Sequence, residues 1–361
     1  MSARVIGIDA RELLGATTGV GRYLGELLRR WTARPDAASR RFVLYTPEAL
    51  GLRFESPVDE RVLRGGRGTW WEQTTLRTAV DRDAPDVFFA PAYTAPLGLR
   101  MPLAVTIHDV SFSAHPEWFR WREGTRRRWL TRRAARDARL VFTDSEFSRG
   151  EIVRHYDVPP ERIEVIPPGL GARASGVTSR REPLVLYAGS LFNRRRLPDL
   201  IAAFAIASRD VPLARLVIAG DDRTWPAQDL GAVARDHGVA GRVEQRNYVS
   251  DEELASLYAR ACVFAFLSEY EGFGLTPLEA LAAGVPIVVL DTAVSREVYG
   301  EAAQYVAKGD IAGAAAAIGG CLASARPGAE QLARAPAVLA RYSWDQAAER
   351  TLAGLDRIVP Q

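Results

Sequence analysis

The sequence predicts an α/β protein of two domains, each built on a parallel sheet. Both halves of the chain alternate apolar runs of strand length with helical patterns, which is the order typical of parallel sheets. The length of 361 residues also exceeds what one hydrophobic core usually serves. Between the halves, residues 169–181 are rich in Gly, Ser, Ala and Arg and lack periodicity, so they predict a linker. We therefore expect domains at 1–168 and 182–342, followed by a last helix within 343–361.

The predicted strands are short apolar runs, and ligands of such sheets bind at the carboxyl ends of the strands. In the first half the predicted strands are Val5–Asp9, Arg41–Tyr45, Val87–Ala90, Leu103–Ile107, Leu140–Thr143 and Ile163–Ile166. In the second half they are Leu184–Ala188, Ala214–Ala219, Val243–Asn247, Val263–Phe266, Pro286–Val289 and Gln304–Val306. Helical patterns lie between them, for example at Gly21–Trp31 and Glu146–His155, and the last one spans Trp344–Ile358.

Composition narrows the class of protein. The hydrophobic fraction of 47% and the charged fraction of 25% are those of a globular protein, and no apolar run is long enough to span a bilayer. The first residues predict a strand rather than a signal peptide, and two cysteines do not indicate a disulfide framework, so we expect a cytoplasmic protein. A net charge of +3 gives no argument for nucleic acid, and no Cys/His group has zinc spacing.

The most informative segment runs from Ser268 to Gly284. It places Glu271 and Glu279 eight positions apart around a Gly-Phe-Gly turn, between an apolar strand and a helix whose first turn holds Pro277. Such a turn offers backbone N–H groups and a positive helix end to a phosphate. The two carboxylates would repel a phosphate, but they can accept hydrogen bonds from hydroxyls on either side of it. This pattern indicates a sugar nucleotide, whereas each Glu alone would be explained as a surface carboxylate near a helix N-terminus.

The segment resembles the E-x7-E signature of retaining glycosyltransferases of family 4, which have the GT-B fold. The similarity extends from about Arg4 to Ala303. It implies two Rossmann-like domains whose parallel sheets face a central cleft, and transfer of a sugar from a nucleotide to an acceptor with retention at the anomeric carbon. By the same resemblance, Glu279 would hold the ribose hydroxyls and Glu271 the hydroxyls of the donor sugar. The final helix would cross back to the N-terminal domain.

The leaving diphosphate has its own predicted contacts. The resemblance implies that the amides of Phe273, Gly274 and Leu275 stabilise it, together with Arg195. Arg195 lies in the segment Gly189–Leu197, which follows the first strand of the second half and holds three consecutive arginines. It stands where the family has a Lys, so we expect Gly189, Arg194 and Arg195 to contact the donor. A solvated basic turn is the alternative.

Three further segments match the family. Gly19, Gly21 and Arg22 belong to a G-[IV]-G-R-Y pattern, in which the glycine loop would approach the donor and Arg22 would face the cleft; a simple helix-capping turn is the alternative. His108 precedes Asp109 at a strand end, where the resemblance implies that it hydrogen-bonds the donor sugar through its backbone or side chain.

The third segment contains Tyr248 and Val249, whose backbone would lie beside the nucleobase. The Thr143–Ser148 segment supports the resemblance but is explained by helix capping. Asp81-Arg82-Asp83 has the form of a metal motif, but it lies in a turn away from the phosphate motifs. We expect no metal and no cofactor, because the arginines and a helix N-terminus can neutralise the diphosphate.

The resemblance gives the catalytic set as His108, Glu271 and Arg195, and the reaction as hexosyl transfer in the assembly of surface polysaccharide or glycolipid. The Ile107–Phe112 and Pro116–Phe119 segments are similar to bacterial O-antigen-type mannosyltransferases, which favours GDP-mannose and leaves UDP- or dTDP-sugars open. A hydrolase or epimerase of nucleotide sugars and a non-catalytic sugar-nucleotide-binding protein are the alternatives.

A basic stretch indicates a further partner. Residues 120–139 hold nine Arg against Glu123 and Asp137, interleaved with Trp121, Trp129 and other aromatic residues. A basic helix with aromatic residues is typical of contact with an anionic membrane surface. We expect peripheral attachment of this stretch, from Trp118 to Arg139, to the inner face of the membrane and a glycan or lipid-linked acceptor. A solvated helix is the alternative, and nucleic acid is not expected.

Overall fold

The fold is described from a computed structural model, which covers residues 3–15, 19–55, 58–171, 181–247 and 249–360. The chain forms two units. The N-terminal unit comprises Met1–Pro116, Trp121–Gly169 and Ser343–Gln361, and the C-terminal unit comprises Glu117–Arg120 and Leu170–Tyr342. Each unit carries one sheet whose strand pairs are all parallel.

The N-terminal unit alternates strands and helices. Its strands are β1 (Arg4–Asp9), β2 (Arg40–Thr46), β3 (Val58–Val62), β4 (Val87–Ala90), β5 (Leu103–Thr106), β6 (Leu140–Thr143) and β7 (Ile163–Val165). Its helices are α1 (Gly19–Thr32), α2 (Thr69–Trp71), α3 (Arg77–Asp83), α4 (Ser111–Ala114), α5 (Trp121–Asp137) and α6 (Glu146–Tyr156), with a π-helical turn, Glu72–Leu76, between α2 and α3. The order in the sheet is β3-β2-β1-β4-β5-β6-β7.

The C-terminal unit repeats this plan. Its strands are β8 (Leu184–Ala188), β9 (Arg215–Ala219), β10 (Val243–Arg246), β11 (Val263–Phe266), β12 (Ile287–Leu290) and β13 (Ala303–Val306). Its helices are α7 (Leu197–Ala207), α8 (Leu230–Asp236), α9 (Asp251–Arg260), α10 (Leu275–Ala282), α11 (Ala293–Tyr299), α12 (Ile311–Ala323) and α13 (Ala329–Leu339). The sheet order β10-β9-β8-β11-β12-β13 places β8 beside β11, so the loops that follow these two strands are neighbours.

Central strands are buried on both faces, which is why they are continuous apolar runs in the sequence. All twelve strands predicted from such runs are present, with ends that differ by a residue or so. The prediction omitted β3, because its sequence Val-Asp-Glu-Arg-Val is largely polar and three of its five residues are exposed at the edge of the sheet.

The last helix, α14 (Trp344–Ile358), packs within the N-terminal unit. The side chains of Leu352 and Leu355 join the core of that unit, and the indole Nε1 of Trp31 donates to the carbonyl of Ala348 at 2.8 Å. Asp356 accepts from both Arg4 and Arg40 at 2.8 and 2.7 Å, so the helix is also held by charge. Of the predicted linker, residues 172–180 lie outside the described parts of the chain. None of the helices in the described parts combines the length and hydropathy of a membrane span.

Candidate active site

Two neighbouring loops of the C-terminal unit bring most of the predicted donor residues together. The loop after β8 begins at Gly189, whose φ of +136° is in the region that favours glycine. It crosses close to Gly220 after β9, where an added Cβ would lie 2.0 Å from the carbonyl oxygen of Gly189. Ser190 donates to Asp221 at 2.6 Å and so ties the two strand ends together. The loop ends in a short 3-10 helix, Asn193–Arg195.

Arg194 and Arg195 differ in their surroundings. Arg194 is buried, its guanidinium lies 4.4 Å from the ring of Phe192, and its Nε has no hydrogen-bond partner. No carboxylate of the described residues forms an ion pair with Arg194. Arg195 is also largely buried, and its Nη1 lies 3.0 Å from Oε1 of Glu271. Because burying an uncompensated charge is costly, Arg194 indicates a place for an anion.

Glu271 is the carboxylate between these loops. Its Oε1 accepts from the hydroxyl of Ser268 at 2.5 Å in addition to the contact with Arg195. Ser268 is buried at the end of β11, so its hydroxyl fixes the rotamer of Glu271. Ser268 is the first residue of the motif segment, but the sequence pattern alone indicated no role for it.

The turn between the two glutamates is set by packing. Gly274 has a φ of +96°, and a Cβ there would lie 2.1 Å from the hydroxyl of Tyr299, which donates to the carbonyl of Gly274 at 3.0 Å. Burial raises the pKa of Tyr299 well above its ordinary value, so its hydroxyl keeps its proton and can donate this hydrogen bond. Phe273 is anchored edge-to-face on Tyr342 at 5.1 Å, and Leu275 begins α10. The amides of the first turn of α10 therefore have no intrahelical acceptor and can serve an anion.

Glu279 lies in the middle of α10 and is 4% exposed. Val249 is half-buried and directly precedes Ser250, which caps α9 by accepting from the amide of Glu253 at 3.1 Å. Tyr248 lies outside the described residues. Most of the described residues predicted to bind the donor in the second half therefore lie on loops and first helical turns at the carboxyl ends of β8, β10 and β11. Leu275 and Glu279 lie on α10.

His108 belongs to a separate cluster in the N-terminal unit, after β5. Its Nδ1 lies 2.8 Å from Oδ2 of Asp144, and its Nε2 lies 3.1 Å from the carbonyl oxygen of Pro91. Burial opposes a charge on the ring, but Asp144 outweighs it, so the pKa of His108 is raised above its ordinary value. A carbonyl oxygen can only accept, so Nε2 donates to Pro91, and the carboxylate of Asp144 beside Nδ1 favours the imidazolium form of the ring.

This arrangement bears on the predicted role of His108. Both ring nitrogens have partners within the unit, and the backbone carbonyl of His108 accepts from Ser148 at 3.2 Å. A hydrogen bond from the ring to a sugar would have to replace the one to Pro91. In the sequence, Asp144 belongs to a segment that helix capping explains. Its position at the end of β6, which is adjacent to β5, is the signal that could have indicated its contact with His108.

The glycine segment also lies in the N-terminal unit. Gly19 and Gly21 open α1, with Arg22 half-buried between Gly21 and the buried Tyr23. A Cβ at Gly19 would meet nothing within 4 Å, so packing does not require glycine there. The ring of Tyr23 stands edge-on to His108 at 5.1 Å, which links this segment to the histidine cluster.

The described parts of the chain contain no group of side chains that could hold a metal ion. No three His, Cys, Asp or Glu side chains there converge on one point. Asp83 lies 3.0 Å from Arg82 and 3.5 Å from Arg61, so its carboxylate is engaged by arginines.

Two family models match nearly all of the chain. The model described as Glycosyltransferase Family 4 matches residues 17–171, and the model described as Glycosyl transferases group 1 matches residues 172–331. Their boundary lies two residues beyond the division between the two units, which falls between Gly169 and Leu170.

Two curated relatives are mannosyltransferases by name. The MMP alpha-(1->4)-mannosyltransferase of Mycolicibacterium hassiacum is 30% identical over an alignment of 372 positions including gaps, and the alignment covers 93% of this chain and 79% of that protein. The O-antigen chain mannosyltransferase B of Escherichia coli is 28% identical over 287 residues, which cover 75% of this chain and 74% of that protein.

Solved structures of low sequence identity share the fold. WaaG, a glycosyltransferase involved in lipopolysaccharide biosynthesis, superposes with a TM-score of 0.75 at 18% identity, over 99% of this chain and 100% of its own. Anabaena HepE, in complex with UDP and glucose, gives a TM-score of 0.73 at 19% identity, over 98% and 99% of the two chains. With the two parallel sheets, these similarities show the GT-B fold.

The raised pKa of His108 should make the stability of the fold depend on pH. Because the folded-state pKa is above the ordinary value of 6.5, the histidine stabilises the fold fully below that value and loses this contribution as the pH rises through the raised pKa. Replacing His108 by Gln should lower the free energy of unfolding by about 1.5–3 kcal/mol at about pH 6, and by less at about pH 9. Urea unfolding followed by circular dichroism measures both.

The exposed His237 in the C-terminal unit supplies the control for replacing a histidine, as His237→Gln. A loss in His108→Gln that is the same at both pH values would contradict the imidazolium assignment.

Proposed function

The chain belongs to glycosyltransferase family 4, and we propose that it transfers mannose from GDP-mannose to an acceptor hydroxyl, in the assembly of surface polysaccharide or glycolipid. It is a glycosyltransferase by its family and its relatives. The names of the two mannosyltransferases support mannose as the hexose. UDP- and dTDP-sugars are the competing donors.

The observation that carries the proposal is the charge arrangement at the carboxyl ends of β8 and β11. Arg194 is buried without an acidic partner among the described residues, and Arg195 is paired with Glu271, so these two neighbouring guanidinium groups have one paired carboxylate between them. A diphosphate would neutralise the excess positive charge, and the first turn of α10 offers amides to the same group. Glu279 would then accept hydrogen bonds from the ribose and Glu271 from the hexose.

The proposed transfer retains the configuration of the anomeric carbon. The bond from that carbon to the diphosphate oxygen breaks, the acceptor oxygen bonds to the same face, and the acceptor proton passes to the leaving diphosphate. Arg194, Arg195 and the α10 amides would stabilise the charge that develops on the diphosphate.

A panel of nucleotide sugars tests the donor and the class of reaction. Release of nucleoside diphosphate should be fastest with GDP-mannose and should increase when a glycan acceptor is added. Release that needs no acceptor would favour the hydrolase alternative, and binding without release from any donor would favour the non-catalytic one. The anomeric configuration of the product, read by NMR, tests retention.

The two glutamates should affect different kinetic constants. Replacing Glu279 by Ala removes the proposed ribose contact, worth about 1.5–3 kcal/mol for a hydrogen bond to a charged group, and should raise the donor KM roughly tenfold or more. Replacing Glu271 by Gln should mainly lower kcat, because it would contact the sugar at which charge changes. Steady-state kinetics separates the two, with the exposed Glu330→Ala as the control. An unchanged donor KM in Glu279→Ala, or a near-normal kcat in Glu271→Gln, rejects the role concerned.

We also propose that transfer needs no metal, because arginines and helix amides surround the proposed diphosphate position. Activity should persist after treatment with EDTA and should not increase when magnesium is added back. Activity that EDTA abolishes and magnesium restores would overturn this part of the proposal.

The exposed surface of α5 is the part of the protein proposed to contact the membrane. Leu130, Ala134 and Ala135 are buried, while Trp121 and Trp129 are 76% and 60% exposed. The arginines of the C-terminal half are engaged: Arg132 and Arg136 donate to Asp157, and Arg133 to Asp137. In the N-terminal half, the exposed Arg122 and Arg126 have no acidic partner among the described residues. This half of α5 would contact an anionic leaflet on which a lipid-linked acceptor lies.

Vesicle sedimentation tests this surface. The protein should bind vesicles that contain phosphatidylglycerol, and binding should weaken with salt and in the double variant Arg122→Gln/Arg126→Gln. The matched control is Arg132→Gln/Arg136→Gln, which removes the same charge from the paired half of the helix. If wild-type protein ignores anionic vesicles at low salt, or if the control loses binding equally, this surface does not bind the membrane.

A further inference from the structure

Glu269 connects the two loops that carry Arg195 and Glu271. It stands two residues before Glu271, and its own amide donates to the carbonyl of Arg194 at 2.9 Å. Its carboxylate accepts from Nη1 of Arg196 at 2.5 Å. Both chain neighbours of Arg195 are therefore attached to Glu269. The loop after β8 and the loop after β11 are joined on either side of the Arg195–Glu271 pair.

Arg196 has a constraint that this contact helps to satisfy. It adopts a φ of +52°, which a side-chain-bearing residue rarely adopts, and it leads directly into α7. Its guanidinium is shared between Glu269 and Asp199, in the first turn of that helix. One cation between two carboxylates leaves a negative charge uncompensated.

Lys308 supplies the missing charge. It follows β13, and its Nζ lies 2.6 Å from Oε2 of Glu269. The two cations outweigh the effect of burial and lower the pKa of Glu269, which is 15% exposed at its side chain. Lys308 is the only lysine in the chain. Lys and Arg together number 47, so the other 46 of these basic residues are all arginines.

We propose that Lys308, Glu269 and Arg196 form a charge clamp that positions Arg195 and Glu271 for the transfer reaction. The proposal rests on the proposed function for the roles of Arg195 and Glu271, but the clamp itself is defined by contacts among three loops. Glu269 and Lys308 are positioning residues, because they act through the two loops rather than on the donor. Neutralising Lys308 should loosen the loops without unfolding the unit, since its side chain is 64% exposed.

Substitutions separate positioning from general stability. Lys308→Met should lower kcat by roughly fivefold, the upper range for a partly exposed ion pair. Affinity for GDP should fall by a similar factor, because Arg195 would contact the diphosphate, while affinity for guanosine, held through its ribose, stays unchanged. Lys308→Arg keeps the charge and should restore both. Arg334→Met removes an exposed ion pair to Glu301 in the same unit and should change neither.

The single lysine allows a second test on the wild-type protein. Acetylation removes the charge of Lys308 and should reproduce Lys308→Met, whereas amidination retains the charge and should leave activity intact. Acetylated Lys308→Arg protein controls for reaction at the α-amino group and should stay active.

Hydrogen–deuterium exchange provides a readout that is independent of activity. Amides of 189–197 and 268–275 should exchange faster in Lys308→Met and in Glu269→Gln, but not in Arg334→Met. If no nucleotide sugar is turned over or bound, the proposed function fails, and exchange alone still decides the clamp. Unchanged exchange in both loops, or a Lys308→Arg protein as impaired as Lys308→Met, would overturn it.

Discussion

The ion pair between Arg195 and Glu271 is the contact on which the organisation of the donor loops depends. It joins loops that follow β8 and β11, which are adjacent in the sheet although more than 70 residues separate them in sequence. Parallel topology brings every strand end of this kind to one edge, so polar side chains from distant segments can meet there. The surrounding contacts serve this pair: Ser268 fixes the carboxylate, and Glu269 holds the residues on both sides of the guanidinium.

In the N-terminal unit, strand ends are also joined by side chains, but here a histidine and an aspartate make the contact. His108 and Asp144 follow the adjacent strands β5 and β6, and their contact joins those two strand ends as Arg195 and Glu271 join theirs. The carbonyl of Pro91, after β4, accepts from the other ring nitrogen, so three strand ends are connected through one histidine ring. A buried cation is tolerable here because a carboxylate and a carbonyl satisfy both of its donors.

Features that depend on local sequence were predictable, and features that depend on pairing across the fold were not. Buried strands are recognisable in the sequence as apolar runs. The last helix was predicted at Trp344–Ile358, which are its bounds in the structure. The edge strand β3 has no such run, so its pairing with β2 could be seen only in the structure. The motif around Glu271 was visible in the sequence, but the partners that orient it were not. Glu269 and Lys308 lie 39 positions apart, and no spacing rule connects residues on two different strand ends.

The contacts of Glu271 suggest how recognition of the diphosphate and of the sugar could be coupled in the proposed reaction. In the structure, Glu271 is held by Arg195 and Ser268. A diphosphate would attract Arg195, since two phosphates carry more charge than one carboxylate. Glu271 would then keep its bond to Ser268 and turn its remaining lone pairs to the hydroxyls of the hexose. A nucleotide that lacks the sugar would leave those lone pairs without a donor other than water, so the same pair of residues would favour the intact nucleotide sugar over its product.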